Sequence, residues 1–198
     1  VSLDVSRHGV LGVQGPSGRG KSTLLKLLMR YWDPSSGTVA LSDVPLPDVD
    51  AAWRRRVQTM MGQETYLFDG TIRENLMMAL PDRDASHAAD AIDRKLRDAL
   101  ARASALELVD SLPQGLDTQV GELGGRLSEG ERQRIGLTRV FLRDADLVLF
   151  DEPTSRLDAY NESVILQSIN GLADQGRAIV LVSHRDSTMR IADRIVRM

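Results

Sequence analysis

The stretch Gly15-Pro-Ser-Gly-Arg-Gly-Lys-Ser-Thr23 decides the fold, because it fits the pattern G-x-x-x-x-G-K-[ST] at every fixed position. The apolar run 9–14 before it reads as a buried strand, and the leucine-rich run 24–28 after it reads as a helix. Glycines on a strand-to-helix turn let the backbone wrap a phosphate, while the free N–H groups of the helix end face the anion. A turn that fits by coincidence is the alternative, and the flanking strand and helix argue against it.

Each part of this loop has an expected role. We expect Gly15, Gly18 and Gly20 to adopt positive φ, and Lys21 to add a full positive charge. The Ser22 hydroxyl is then free to bind Mg²⁺. The predicted nucleotide-binding residues are Gly15, Pro16, Ser17, Gly18, Arg19, Gly20, Lys21, Ser22 and Thr23.

The amino-acid composition argues against several classes of protein and of binding site. A chain of 198 residues with 42% hydrophobic content can bury a core, and 25 basic against 28 acidic residues argue against electrostatic nucleic-acid binding. The absence of cysteine excludes disulfides and thiolate metal sites. No apolar run approaches the ~20 residues of a membrane helix. Since Val1 and Met198 both adjoin strand-like segments, we expect the sequence to be a piece of a longer protein.

The apolar periodicity predicts parallel strands that are covered on both faces. Predicted strands are 1–6, 10–14, 37–41, 57–62, 147–150, 179–182 and 194–197, and predicted helices are 21–32, 50–56, 71–80, 86–105, 128–143 and 159–173. The predicted fold class is α/β, a P-loop NTPase core with a mainly parallel sheet plus an inserted α-helical subdomain. We expect the core to comprise residues 1–62 and 144–198, and the helical subdomain residues 63–143.

Two carboxylates follow a predicted strand, at the edge where open α/β sheets bind ligands. We expect Asp151 to bind Mg²⁺ and Glu152 to orient or deprotonate a water that attacks a γ-phosphate. His184 ends the next strand, where its imidazole can donate to a γ-phosphate oxygen. The alternatives are polar residues that merely end a strand and a structural histidine. His8 and His87 have no such placement, and we expect them on the surface.

Together these residues resemble the nucleotide-binding domain of ABC transporters of the exporter type, over essentially the whole chain 1–198. Gln63 resembles the glutamine that reaches Mg²⁺ and the attacking water and senses the membrane domain. The segment 67–75 is typical of exporters, and 118–122 is similar to the exporter loop that touches the intracellular extensions of the membrane domain. His184 resembles the switch histidine. The residues that resemble the family signature are Leu127, Ser128, Glu129, Gly130 and Glu131, and those that resemble the dimer-seam loop are Ser155, Arg156, Leu157 and Asp158.

The resemblance implies an ATPase with ATP and Mg²⁺ as cofactors. It implies Ser22, Gln63 and Asp151 as the metal site, with Glu152, His184 and Gln63 in catalysis. Two such domains pair head to tail, so that each ATP lies between one phosphate loop and the other chain's signature. The implied partners are a transmembrane domain, in the same or a separate chain, and a second ATP-binding domain, without nucleic acid, at the cytoplasmic face of the membrane.

Two other functions fit parts of the sequence. One is a soluble ABC ATPase that acts in DNA repair or translation, and the other is a nucleotide-responsive interaction module without turnover. The exporter segments favour transport over the first alternative. Glu152 and His184 favour hydrolysis over the second.

Three departures from the family pattern concern the dimer. Glu129 stands where Gly is usual, Glu131 where Gln is frequent, and Arg156 where Ala is usual. A carboxylate at 129 would face the partner's γ-phosphate, which predicts a heterodimer with two unequal ATP sites. Ser128 and Glu131 also form a capping-box pattern, which would turn Glu131 toward its own helix.

Packing predictions follow from the same patterns. We expect Leu137, Val140 and Phe141 to form the buried stripe of the signature helix. For the pairs Met60-Met61 and Met77-Met78, we expect at least one member of each to pack in the core.

Overall fold

The computed structural model describes residues 2–81, 84 and 88–198. The elements in chain order are β1 Gly9–Gln14, α1 Lys21–Leu28, β2 Ala40–Leu41, β3 Val44–Pro45, α2 Ala51–Val57, β4 Gln58–Met61, α3 Ile72–Met77, α4 Ala89–Arg102, α5 Leu106–Ser111, α6 Glu129–Arg143, β5 Leu147–Asp151, α7 Ala159–Asp174, β6 Ala178–Ser183, α8 Asp186–Met189 and β7 Arg194–Arg197. No helix in these residues is both long enough and apolar enough to span a membrane. The predictions for His87, and for the first residues of the 86–105 helix, lie outside the described part.

The main sheet has the strand order β4-β5-β6-β1-β7, and every pair in it is parallel. The phosphate loop follows β1, Asp151 ends β5 and Ser183 ends β6. Because the carboxyl ends of parallel strands meet at one edge, these segments converge there. The predicted α/β class is confirmed, and the candidate site lies at this edge.

Both faces of the sheet are covered, as the unbroken apolar runs predicted. Val13, Val180 and Val182 face α1, where Leu25 is fully buried. The opposite face carries Phe150 and packs against the helices that lie between β4 and β5. Since one continuous core joins these helices to the sheet, the division into 1–62 with 144–198 and 63–143 remains our proposal for subdomains.

Side-chain caps fix where several helices begin. Asp50 accepts a hydrogen bond from the Trp53 N–H at the start of α2, and Asp158 accepts from the Asn161 N–H at the start of α7. A capping box at Ser128 begins α6, as predicted. The buried stripe Leu137, Val140 and Phe141 of that helix is also confirmed.

Two predicted elements end early or are absent. Residues 2–6 form no strand; the Arg194 guanidinium binds the Asp4 carbonyl, and Val5 packs on the core. Helix α1 ends at Leu28 and does not reach Trp32, because Arg30 takes φ 53° and the Tyr31 N–H closes back to the Lys26 carbonyl. This closure usually has glycine at its left-handed position, and the sequence gives no such signal here.

The other differences concern turns. The strand predicted over 37–41 shrinks to β2, which forms a hairpin with β3 through Ser42 and Asp43 at φ 50° and 66°. Helix α3 ends at Met77 and α4 at Arg102, both before their predicted ends, and α5 was not predicted. The turn between α4 and α5, residues 103–105, contains neither Gly nor Pro to mark it, and Ser104 takes φ 53° there.

The methionine prediction holds for one pair only. Met61 is buried in the core, but Met77 and Met78 are 40% and 56% exposed. Helix α3 buries Ile72, Asn75 and Leu76, which lie three and four residues apart, so its far side turns the methionines outward. The prediction for Met77-Met78 was wrong.

Candidate nucleotide-binding and catalytic site

Two different physical requirements explain the glycines of the phosphate loop. Gly18 and Gly20 take φ 80° and 88°, as predicted. Gly15 does not have positive φ, and this part of the prediction was wrong. A Cβ at Gly15 would lie 2.5 Å from the Met198 carbonyl oxygen, so glycine is needed there for the close approach of the chain after β7.

Lys21 is the first residue of α1 and only 6% exposed. Its Nζ donates hydrogen bonds to the carbonyl oxygens of Gly15 and Pro16, at 2.8 and 2.9 Å, which holds the cation at the loop. The first N–H inside α1 that bonds back is that of Leu24, to Gly20. The preceding amides at this helix end are therefore available to an anion.

Ser22 and Asp151 offer oxygen ligands side by side. The Ser22 hydroxyl donates to Asp151 Oδ1 at 3.0 Å, and Asp151 is only 7% exposed. Burial raises the pKa of the Asp151 carboxyl, and the Ser22 hydrogen bond partly offsets this. Among the described residues no group of three or more His, Cys, Asp or Glu forms a metal cage. A desolvated carboxylate with one hydroxyl fits Mg²⁺, which takes few protein ligands and keeps waters and phosphate oxygens.

Glu152 and His184 are in direct contact. Glu152 Oε1 lies 2.8 Å from His184 Nδ1, and the Ser183 hydroxyl donates to Glu152 Oε2 at 3.2 Å. The Glu152 side chain is 12% exposed and that of His184 is 55% exposed. Glu152 also takes φ 50°, a left-handed conformation that is uncommon outside glycine. This residue redirects the chain after β5, and both oxygens of its carboxylate are held.

The hydrogen bonds of Gln63 connect it to Ser155 and to Gln133 on α6. Its Nε2 donates to the Ser155 hydroxyl at 3.4 Å, and its backbone carbonyl accepts from Gln133 Nε2 at 2.9 Å. Gln133 is almost fully buried and also accepts from the Thr65 hydroxyl. Sequence reasoning missed Gln133, although an amide within the buried stripe of α6 was a usable signal. The metal role of Gln63 remains a prediction.

The predicted dimer-seam loop contains residues with clear internal partners. Arg156 forms an exposed ion pair with Glu64 at 2.8 Å, Leu157 is buried, and Asp158 caps α7. The Arg156 guanidinium therefore has a partner inside this chain.

The signature residues open α6. Ser128 Oγ donates to Glu131 Oε2 at 2.8 Å, and the Ser128 N–H donates to the same oxygen at 2.7 Å. Leu127 is buried, and a Cβ at Gly130 would lie 2.7 Å from the Asn161 side chain. The predicted capping box is confirmed, and it holds the Glu131 charge on its own helix.

Glu129 does not extend freely from the helix. Its Oε2 lies 2.5 Å from Arg132 Nη2, and its Oε1 lies 3.5 Å from Gln133 Nε2. Sequence reasoning missed this pair, although Glu and Arg three residues apart on a helix are a known signal. No hydrogen bond or ion pair within the described part of the chain joins 127–131 to the phosphate loop.

Comparison with known proteins gives a consistent family. Residues 1–155 match the family described as "ABC transporter". A probable ABC transporter ATP-binding/permease protein of Haemophilus influenzae is 44% identical over 99% of this chain, and ABC transporter ATM1 of Toxoplasma gondii is 40% identical over 99%. The chain spans 34% of the first relative and 16% of the second.

A solved structure extends the likeness to three dimensions. The structure of a bacterial Atm1-family ABC exporter with ATP bound matches all of this chain and 33% of its own, with a TM-score of 0.89 and 31% identity. This match supports the predicted P-loop NTPase fold. We conclude that the chain belongs to the ABC transporter family.

Proposed function

We propose that this chain powers the export of a substrate across a membrane by binding and hydrolysing ATP at the sheet edge described above. The observation that carries the proposal is the convergence there of Lys21, the Ser22–Asp151 pair and the Glu152–His184 pair. The named relatives are transporters, which supports this function over one in DNA repair or translation.

We assign binding to the phosphate loop. Lys21 and the amides at the start of α1 hold the β- and γ-phosphates, since a cation and oriented N–H groups are strong donors to phosphate. Ser22 and Asp151, with Gln63, hold Mg²⁺. When bound, Mg²⁺ neutralises charge on the phosphate oxygens during transfer. The raised pKa of Asp151 fits this assignment, because a nearby cation would stabilise the buried carboxylate.

We assign the attack on the γ-phosphate to the residues after β5 and β6. Glu152 orients or deprotonates the water, and His184 donates to a γ-phosphate oxygen through Nε2. Because Nδ1 donates to the Glu152 carboxylate at the same time, this role belongs to the doubly protonated imidazolium form of His184. Ser183 and His184 each bind one oxygen of the Glu152 carboxylate, which fixes its direction. Orientation of this kind lowers the entropic part of the barrier.

An exposed apolar surface supports a membrane-domain partner. It consists of large exposed side chains on two neighbouring segments: Tyr66, Phe68, Met77, Met78 and Leu123. The segments touch, because the Val120 N–H bonds to the Gly70 carbonyl and Thr71 pairs with Gln119. Exposed apolar clusters mark interaction sites. We propose that the transmembrane domain docks here, at the cytoplasmic face of the membrane.

The second partner is another ATP-binding domain. We propose a head-to-tail pair in which the signature 127–131 of this chain completes the partner's ATP site. A carboxylate at ~5 Å from one phosphate charge, at an effective dielectric of about 20, costs on the order of 3 kcal/mol when unpaired, and the Arg132 guanidinium that binds Glu129 offsets part of this cost. This chain's own phosphate loop, Asp151 and Glu152 carry no such feature. We propose a heterodimer, because any repulsion that remains after Arg132 pairs with Glu129 would then fall on one of the two ATP sites only.

The test is steady-state phosphate release by the full-length protein in lipid, with and without Mg²⁺. Magnesium-dependent ATP hydrolysis supports the proposal. ATP binding without phosphate release would instead support the nucleotide-responsive module. Equal hydrolysis in both sites of a purified homodimer would contradict the heterodimer.

A further inference from the structure

The first turn of α6 carries two carboxylates where the proposed function needs room for an anion. The N-terminal end of a helix carries partial positive charge. The carboxylates of Glu129 and Glu131 can neutralise this charge and so weaken its attraction for a phosphate. The Glu131 carboxylate accepts hydrogen bonds from the Ser128 hydroxyl and N–H. The state of Glu129 then decides how much negative charge this helix end presents.

Arg132 holds Glu129 from within the same helix. The guanidinium binds Glu129 Oε2 through Nη2 at 2.5 Å, and the side chains of Arg132 and Glu129 are 24% and 25% exposed. Arg132 Nη1 donates to the Leu127 carbonyl at 2.7 Å and to the Gly124 carbonyl at 3.4 Å. The guanidinium is thus fixed on two sides, and a partly buried, charge-assisted pair of this kind is stronger than a flexible surface pair.

We propose that Arg132 is a positioning residue, which keeps the Glu129 carboxylate on its own helix and neutralises it so that the ATP site completed by this signature remains competent. The inference rests on the proposed function, because it takes the signature to face a partner's nucleotide. It adds a residue that the family pattern does not require, since Gly at 129 would have no charge to neutralise.

The expected effect follows from the charge that Arg132 cancels. The unscreened repulsion between the Glu129 carboxylate and one phosphate charge, at ~5 Å and an effective dielectric of about 20, corresponds to a few hundredfold in the equilibrium constant for ATP binding. Salt and side-chain rotation reduce this, and a third of the interaction still amounts to about sixfold. Removing the guanidinium charge should therefore lower hydrolysis by about sixfold or more at this site.

The experiment is a double-mutant cycle in the full-length transporter with Arg132→Gln, Glu129→Gln and the double variant. Arg132→Gln keeps an amide donor for the Leu127 carbonyl and removes the charge, and Glu129→Gln keeps the shape of that side chain. The readouts are steady-state ATP hydrolysis against ATP and NaCl concentration, and azido-ATP labelling of each domain. Arg97→Gln, which breaks the exposed Arg97–Asp110 pair at 2.8 Å, is the matched control.

We expect Arg132→Gln to raise the KM for ATP and lower hydrolysis, with partial recovery at high salt, while Arg97→Gln leaves both unchanged. The double variant should return to within about twofold of Glu129→Gln alone, because the interaction energy of a charge pair vanishes when both charges are removed. If Arg132→Gln caused the same loss in the Glu129→Gln background as in the unmutated one, the inference would be overturned, because Arg132 would then act through the two carbonyls. Full activity of Arg132→Gln would overturn it as well. Absence of hydrolysis in the unmutated protein would contradict the proposed function itself.

Discussion

Replacing Ser128 by alanine separates the structural role of the signature from its proposed contact with a nucleotide. Ser128 caps α6 through Glu131, and loss of such a cap costs about 1 kcal/mol of stability. For a chain of this size that lowers the melting temperature by about 2–4 °C. Asp50→Ala removes a comparable cap from α2, where the Asp50 Oδ1 to Trp53 N–H bond is 2.7 Å.

The two variants should differ in activity. When the Ser128 hydroxyl turns its one hydrogen from Glu131 Oε2 to a charged phosphate, the new bond contributes about 1.5–3 kcal/mol, so Ser128→Ala should lower hydrolysis by about tenfold or more. The Asp50→Ala protein should have a melting temperature lowered by a similar amount, and it should hydrolyse ATP at the rate of the unmutated protein. Ser128→Thr keeps a hydroxyl and a cap, and should recover most of the activity. Equal rates for Ser128→Ala and Asp50→Ala would refute the proposed nucleotide contact.

Two further predictions concern this chain's own ATP site. Lys21→Ala should reduce ATP affinity by about tenfold or more because it removes the buried cation whose Nζ binds the Gly15 and Pro16 carbonyls, and an undiminished ATP-induced thermal shift would count against this assignment. At pH 7 and without nucleotide, the Asp151→Asn protein should have a higher melting temperature than the unmutated protein. Burial raises the pKa of Asp151 above its ordinary 3.8, so ionisation of this carboxyl destabilises the folded state as pH rises. The difference should vanish below pH 3.8, where the carboxyl is protonated in both states, and the variant should lose Mg²⁺-dependent stabilisation by ATP; a variant that melts lower at pH 7 would contradict the argument.

Local patterns predicted the parts of the site that depend on local chemistry. The loop from Gly15 to Thr23 could be assigned because each fixed position of its pattern has its own residue requirement. The unbroken apolar runs of β5 and β6 indicated a parallel sheet, and that topology brings Asp151 and His184 to one edge. The capping box at Ser128 was predicted for the same reason, since its two partners are three residues apart.

Contacts between distant parts of the chain, and local conformations that the sequence leaves open, explain what could not be predicted. Gly15 is required by the nearby Met198 carbonyl, which is distant in sequence. Glu152 contacts His184 from a left-handed backbone conformation, which has no sequence signal in a non-glycine residue. For Glu129, the Arg three residues later was visible, but a helix surface offers both this partner and outward orientations, and only the structure selects one.

ATP hydrolysis by Glu152→Gln in the full-length protein tests the proposed mechanism most directly. This change keeps the shape of the side chain and removes the charge that orients the attacking water. Glu162→Gln, on α7, is a control for loss of a carboxylate from an ion pair, here with Arg185. We predict that Glu152→Gln binds ATP normally, traps a dimer with ATP bound, and nearly abolishes hydrolysis in this chain's site. Hydrolysis in that site at the unmutated rate would contradict the assignment of Glu152.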